Sequence, residues 1–159
     1  DIHSYCLMKN HYHLLVSERI KNGISLFMQK INMGYTKYFN NRYERSGALW
    51  QGKYRKVRIK RDAHFLYIPF YIHLNPLDYV YPEWRKGETR NTKKALKSLL
   101  EYRWSSHLDY LGVRNFPSII RTDVLNPILG TRAEYERTIT EIIQDPILAL
   151  ESKYLEYQS

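Results

Sequence analysis

The chain has 159 residues, and 43% of them are apolar, which is enough for one domain with a hydrophobic core. Its 25 Lys and Arg residues outnumber its 16 Asp and Glu residues, and the net charge of +9 favours a polyanionic partner such as a nucleic acid. No apolar stretch reaches the roughly 18 residues of a membrane helix, and the single cysteine, Cys6, excludes an internal disulfide. These features predict a soluble, cytoplasmic protein without a membrane partner, in which Cys6 is a small buried side chain.

The first predicted elements are two antiparallel strands and a helix. Residues 2–8 and 11–17 are rich in Tyr, Leu, Val and Ile, and the two residues between them suit a tight hairpin connection. From Ile24 to Phe39, apolar side chains recur at the spacing of one helical face. Turn-forming residues then break this pattern.

A basic strand and a second helix are predicted next. Residues 53–61 alternate between charged and apolar side chains, which is typical of a half-exposed strand. Asp62 can cap a helix that runs from about Ala63 to Asn75, and Pro76 ends it because the residue before a proline avoids helical geometry.

The remaining chain is predicted to be a loop followed by helical structure. Residues 82–94 combine Gly, Asn and charged residues without periodicity, as in a loop, and residues 96–111 are apolar but irregular. After Thr131, apolar residues return at helical spacing, and Asp145-Pro146 breaks the pattern. The apolar residues are Tyr135, Ile139, Ile142 and Ile143.

His11 and His13 form a candidate metal site on the second predicted strand. Alternate side chains of a strand lie on the same face, so both imidazoles can bind one ion. The amide oxygen of Asn75 is a candidate third ligand, and a site with an oxygen donor suits Mg²⁺ or Mn²⁺. The alternative is that both histidines simply lie on a polar face of the sheet.

Tyr71 and Tyr67 are candidate nucleophiles on the second predicted helix. Tyr71 shares a helix face with Asn75, and Tyr67 lies four residues earlier on the same face, so geometry alone does not separate them. A tyrosine hydroxyl, with a pKa of about 10, needs a nearby cation to become a good nucleophile. Tyr71 has the alternative of a packing role, and His73, which points away from it, is interpreted as structural.

The densest basic run leads directly into the tyrosine helix. It is a candidate DNA-binding track, and the alternative is a charged edge strand that prevents aggregation. Trp50 and Trp104 could stack on bases, although buried packing is favoured. The basic residues are Lys53, Arg55, Lys56, Arg58, Lys60 and Arg61.

Several motifs, taken in order, resemble the single-tyrosine HUH transposases. They are the segments 5–15 with His11-Tyr12-His13, 49–54 and 71–76. Segments 102–106 and 110–112 are similar to the REP-associated branch of that family. The resemblance covers roughly residues 4–112 and divides the chain into a transposase-like domain, 1–112, and a helical extension of the same domain, 113–159.

The resemblance implies an α+β, ferredoxin-like domain with a central antiparallel sheet. The histidines would lie on a middle strand, and Tyr71 on an adjacent helix would attack single-stranded or hairpin DNA to give a 5′-phosphotyrosine link, with His11, His13 and Asn75 binding a divalent metal. Relatives begin with a further strand and a helix that this sequence lacks. If the protein itself lacks them, the expectation is an open sheet edge, which favours either a homodimer or loss of activity.

Two departures from the family keep other functions open. Pro69 would remove a backbone hydrogen bond and bend the helix beside Tyr71, and Phe70 stands where arginine is common. A non-catalytic nucleic-acid-binding module of the same fold is therefore an alternative. A metal hydrolase that uses activated water is a third hypothesis, ranked last because no carboxylate base is evident near the histidines.

Overall fold

A computed structural model describes residues 1–60 and 62–145 of this α+β chain. The chain forms two compact units. The main unit contains Asp1–Val16 and the described residues from Arg58 onward, and the inserted unit is Ser17–Val57. None of the helices in the described part of the chain combines the length and the apolar composition of a membrane-spanning helix.

The main unit begins with an antiparallel hairpin. Strand β1 (Ile2–Leu7) pairs with β2 (Tyr12–Val16), and the sheet contains these two strands within the described residues. The turn is closed by the Met8 N–H, which donates to the carbonyl of His11 over 2.8 Å. The predicted strands are confirmed, and the α+β class is compatible with a ferredoxin-like fold that lacks a strand.

The outer edge of β1 is covered by later parts of the chain. The Leu7 N–H donates to the Trp104 carbonyl over 2.8 Å, and the Arg121 N–H donates to the Ile2 carbonyl over 2.8 Å. Cys6 lies opposite His13 in the register and is completely buried, as expected. Burial raises the pKa of its thiol to about 12, so Cys6 remains a protonated packing residue.

The tyrosine helix packs against this hairpin. Helix α1 (Gly23–Arg42) belongs to the inserted unit and comes first in the chain. Helix α2 (Asp62–Leu74) belongs to the main unit and contacts both strands of the hairpin. Helix α2 continues through Pro69 to Leu74, after which a 3₁₀ helix runs over Asn75–Tyr79. Pro69 has no N–H and cannot donate a backbone hydrogen bond within the helix. The free energy gained by burying the neighbouring Phe70, Ile72 and Leu74 side chains offsets this loss.

Helices complete the main unit. A second 3₁₀ helix spans Pro82–Lys86, and the α-helices are α3 (Thr92–Glu101), α4 (His107–Tyr110), α5 (Asn126–Leu129) and α6 (Arg132–Gln144). Helix α6 buries all four predicted apolar side chains and begins with a Thr131–Glu134 capping box. The predicted division at residue 112 stays a prediction.

Two predictions of local structure are wrong. The loop predicted for residues 82–94 contains the 3₁₀ helix Pro82–Lys86 and the start of α3. A basic strand was predicted for residues 53–61, but residues 53–60 do not form one. Among the described residues, no other segment pairs with them as a strand. Arg61 lies outside the described residues.

The inserted unit contains α1 and the irregular segment that follows it. The predicted helix is confirmed, but the second half of its apolar face is exposed, with Tyr38 at 61%. The rings of this unit pack on one another: Tyr35 lies 5.8 Å from Trp50, and Phe39 lies 4.4 Å from Tyr43, between ring centroids.

Candidate active site

The two histidines converge at the start of β2. Nε2 of His11 lies 3.1 Å from Nε2 of His13. Nδ1 of His11 donates to Oδ1 of Asn10 over 2.7 Å, which leaves the lone pair of a neutral His11 on Nε2, facing His13. The strand geometry therefore brings both imidazoles to one point, with one ring held in the tautomer that a metal ligand requires.

The spacing of the two nitrogens suits two ligands of one cation. Two nitrogens about 2.1 Å from an ion and at right angles to each other lie about 3.0 Å apart, close to the observed 3.1 Å. No cluster of three His, Cys, Asp or Glu side chains with metal-binding geometry occurs in the described part of the chain. A complete metal site would therefore need an amide, water or substrate oxygen.

Tyr71 lies beside this pair. Its ring centroid is 5.6 Å from that of His13, with the rings nearly perpendicular. Helix α2 brings it there by packing on the hairpin face that carries Cys6 and His13. Tyr71 is only 3% exposed. Tyr67 is partly buried and packs against the core.

Asn75 is buried next to the tyrosine, and its amide is engaged on both sides. Its Nδ2 donates to the Tyr71 carbonyl over 2.7 Å, and its Oδ1 accepts from Nη2 of Arg85 over 3.1 Å. The oxygen that was predicted to bind a metal ion thus faces a guanidinium group in this structure. Asn75 could act as a ligand only if this hydrogen bond were exchanged for the ion.

Arg85 is a site residue that was not predicted from the sequence. Its guanidinium carbon lies 5.4 Å from the centroid of the Tyr71 ring. Asp78 holds it there, since Nε and Nη2 of Arg85 donate to the two carboxylate oxygens over 2.8 and 2.7 Å. Arg85 lies in the segment that was predicted as a loop, where no motif or spacing indicated its contact with Tyr71.

The turn before the histidines is anchored to the segment after the tyrosine helix. The backbone N–H of Lys9 donates to the hydroxyl of Tyr79 over 2.7 Å, and the Lys9 ammonium lies 4.6 Å from the centre of that ring. These contacts connect the histidine turn with the 3₁₀ helix that continues α2. They restrict the position of His11 relative to Asn75.

His73 belongs to a buried network on another side of α2. Its Nε2 contacts the hydroxyls of Ser4 and Ser106 at 3.0 and 2.7 Å, and its Nδ1 lies 2.7 Å from the hydroxyl of Tyr135, which also contacts Nδ1 of His107 at 2.8 Å. Burial lowers the pKa of His73 well below its usual value and that of His107 to about 4. Both imidazoles are therefore neutral at pH 7, which agrees with a structural role for His73.

The predicted basic residues fall into both units. Lys53, Arg55 and Lys56 are exposed in the inserted unit, and Arg58 and Lys60 are exposed in the main unit. Arg61 lies outside the described residues.

Comparison with known protein families gives a match to the first half of the chain. The family model described as "Transposase IS200 like" matches residues 1–75, a segment that contains His11, His13, Tyr71 and Asn75. No curated protein and no solved structure matches the chain.

Proposed function

We propose that this chain, whose residues 1–75 match the IS200-like transposase family model, cuts and rejoins single-stranded DNA with Tyr71 as the nucleophile. The observation that carries the proposal is the convergence of His11 and His13, 3.1 Å apart, beside the Tyr71 ring. A hairpin-containing strand is the proposed substrate, and the cytoplasm is the proposed compartment.

In the proposed reaction, the Tyr71 hydroxyl transfers its proton to water, and its oxygen attacks the scissile phosphorus. A bond from phosphorus to the tyrosine oxygen forms, and the bond from phosphorus to the 3′ oxygen breaks. The 3′ oxygen takes up a proton and leaves as a hydroxyl, while the 5′ end stays linked to the protein. Attack by a 3′-hydroxyl on this link reverses the step, so joining needs no added energy source.

His11 and His13 are the proposed ligands of a divalent ion, with Asn75 as a third ligand. Mg²⁺ or Mn²⁺, when bound there, would withdraw negative charge from the scissile phosphate. Asn10 orients His11 for this role through its hydrogen bond to Nδ1. The Arg85 guanidinium lies next to the Tyr71 ring. Its positive charge would stabilise both the scissile phosphate and the phenolate form of Tyr71.

The first test is chemical. The chain is incubated with Mn²⁺ and end-labelled single-stranded DNA that contains a hairpin, and the products are separated under denaturing conditions. We expect a labelled band that moves with the protein, is removed by protease and does not form when EDTA replaces the metal. Cleavage that leaves free 5′-phosphate ends and no protein-linked product would instead identify a hydrolase that uses activated water.

A second candidate function is a non-catalytic DNA-binding module of the same fold. Two observations favour it: Tyr71 is 3% exposed, and the Asn75 oxygen is bound by Arg85. This candidate predicts salt-sensitive DNA binding that persists in His13→Ala, with no protein-linked product under any metal condition. A protein-linked product that is lost in His13→Ala excludes it.

A further inference from the structure

The positive charge of the chain is concentrated in the inserted unit. Residues 17–57 contain nine Lys and Arg residues and two Glu residues, a net charge of +7 out of the chain's +9. The remaining 118 residues are nearly balanced, with 16 basic and 14 acidic residues. Electrostatic attraction of a polyanion is therefore centred on this unit.

The same unit contains an open groove of about 600 Å³, within the size range of small-ligand sites. Trp50, Tyr54 and Gln29 line it, together with the exposed ammonium groups of Lys53 and Lys56. Among the described residues that line the groove, none is acidic. The groove thus combines aromatic surface, an amide and positive charge.

The aromatic walls are held in place by contacts within the unit. The Trp50 indole N–H donates to the carbonyl of Asn32 over 3.1 Å, and the hydroxyl of Tyr54 lies 3.1 Å from that of Ser25. Both rings keep their polar atoms engaged with α1. A fixed ring loses little entropy when a flat ligand stacks on it.

We propose that this groove binds an unpaired nucleotide of single-stranded DNA. The base stacks on Trp50, the amide of Gln29 contacts the edge of the base, and Lys53 and Lys56 bind the adjoining phosphates. Stacking with nearby ammonium groups is how proteins bind unpaired strands with little sequence preference. The inference rests on the proposed function only for the choice of DNA, since the groove shares no residue with the proposed catalytic site.

The test measures binding and requires no cleavage. A fluorescent deoxythymidine oligonucleotide of about ten residues is titrated with the Tyr71→Phe chain in EDTA, and anisotropy is recorded at several salt concentrations. Trp50→Ala is expected to weaken binding roughly tenfold to a hundredfold, from the loss of one stacked base. The matched control, Trp104→Ala, removes a half-exposed tryptophan of the main unit and is expected to bind within about twofold of the parent.

The lysines are tested by the salt dependence. Lys53→Gln combined with Lys56→Gln is expected to reduce the slope of log affinity against log salt by about 1.4, or about 0.7 for each phosphate that is no longer neutralised. Lys93→Gln combined with Lys97→Gln, on α3 of the main unit, is the control and is expected to leave the slope unchanged. Equal slopes in the two pairs would overturn the assignment of the phosphates.

A third measurement covers the case in which Trp50→Ala fails to fold. In a Trp104→Phe chain, the remaining tryptophans are Trp50 and the completely buried Trp84, so quenching by DNA reports on Trp50. We expect saturable quenching at the affinity given by anisotropy. Binding without quenching, or Trp104→Ala as damaging as Trp50→Ala, overturns the proposal. If the chain forms no protein-linked product but quenching is intact, the proposed function is contradicted and the nucleotide site is not.

Discussion

Replacing Tyr71 by phenylalanine is expected to abolish the protein–DNA adduct while the chain remains folded. The substitution removes the attacking oxygen and keeps the ring that packs 5.6 Å from His13 and 5.4 Å from the Arg85 guanidinium. Loss of a nucleophile typically lowers the rate by a factor on the order of 10³ or more. Denaturing gels with labelled hairpin DNA measure the adduct, and circular dichroism checks the fold.

Tyr67→Phe is the matched control for this prediction. Tyr67 lies one helical turn earlier on the same face of α2 and is partly buried. We expect Tyr67→Phe to keep the adduct and, by mass spectrometry, to keep the DNA on a peptide that contains residue 71. An adduct that survives Tyr71→Phe but not Tyr67→Phe would transfer the role to Tyr67.

Acid is expected to destabilise the fold through the two buried histidines. The imidazole of His107 has its pKa lowered from 6.5 to about 4, so the unfolded chain takes up a proton between these values and the folded chain does not. Stability is therefore fully present above about pH 6.5 and is lost as the pH falls towards 4. The loss from His107 alone is about 3 kcal/mol, and His73 adds to it in the same direction.

Urea denaturation at a series of pH values measures this effect. A loss of about 3 kcal/mol lowers the urea midpoint by roughly 1 to 3 M in a small protein. Burial raises the pKa of Asp109, which acts in the opposite direction, so a variant is needed to isolate the imidazole. His107→Asn keeps a polar atom near Nδ1 without a titrating group, and we expect a shallower dependence on pH between 6.5 and 4. An unchanged slope in this variant would contradict the assignment.

The local part of the site could be predicted from the sequence, but its tertiary part could not. Strand alternation predicts that His11 and His13 share a face, because that geometry is fixed within three residues. The proximity of Tyr71 to His13 came from the family resemblance, since nothing in the spacing fixes how α2 packs on the hairpin. Arg85 is held by Asp78 and Asn75, a set of contacts that depends on the 3₁₀ turns after α2.

The fold shows the same division between local and long-range determinants. Helix α6 was predictable because its apolar spacing and capping residues lie within one segment. Helix α3 could also have been found, since Ala95, Leu96 and Leu99 repeat at helical spacing behind the Asn91 cap. The alternation over residues 53–60 was misleading because a strand also needs a partner, and the pattern does not supply one.

The network around His73 also determines when the chain can fold during its synthesis. Ser4 is synthesised early, and it hydrogen-bonds to His73. The other hydrogen-bond partners of His73 are Ser106 and, in α6, Tyr135, which are synthesised much later. When synthesis reaches residue 75, the end of the family match, the partners of His73 at Ser106 and Tyr135 have not yet been made. At a synthesis rate of about 5 to 20 residues per second, α6 is completed several seconds after residue 75. We therefore expect a chain truncated in this interval to be less stable than the full chain, because the buried His73 imidazole then lacks its later hydrogen-bond partners.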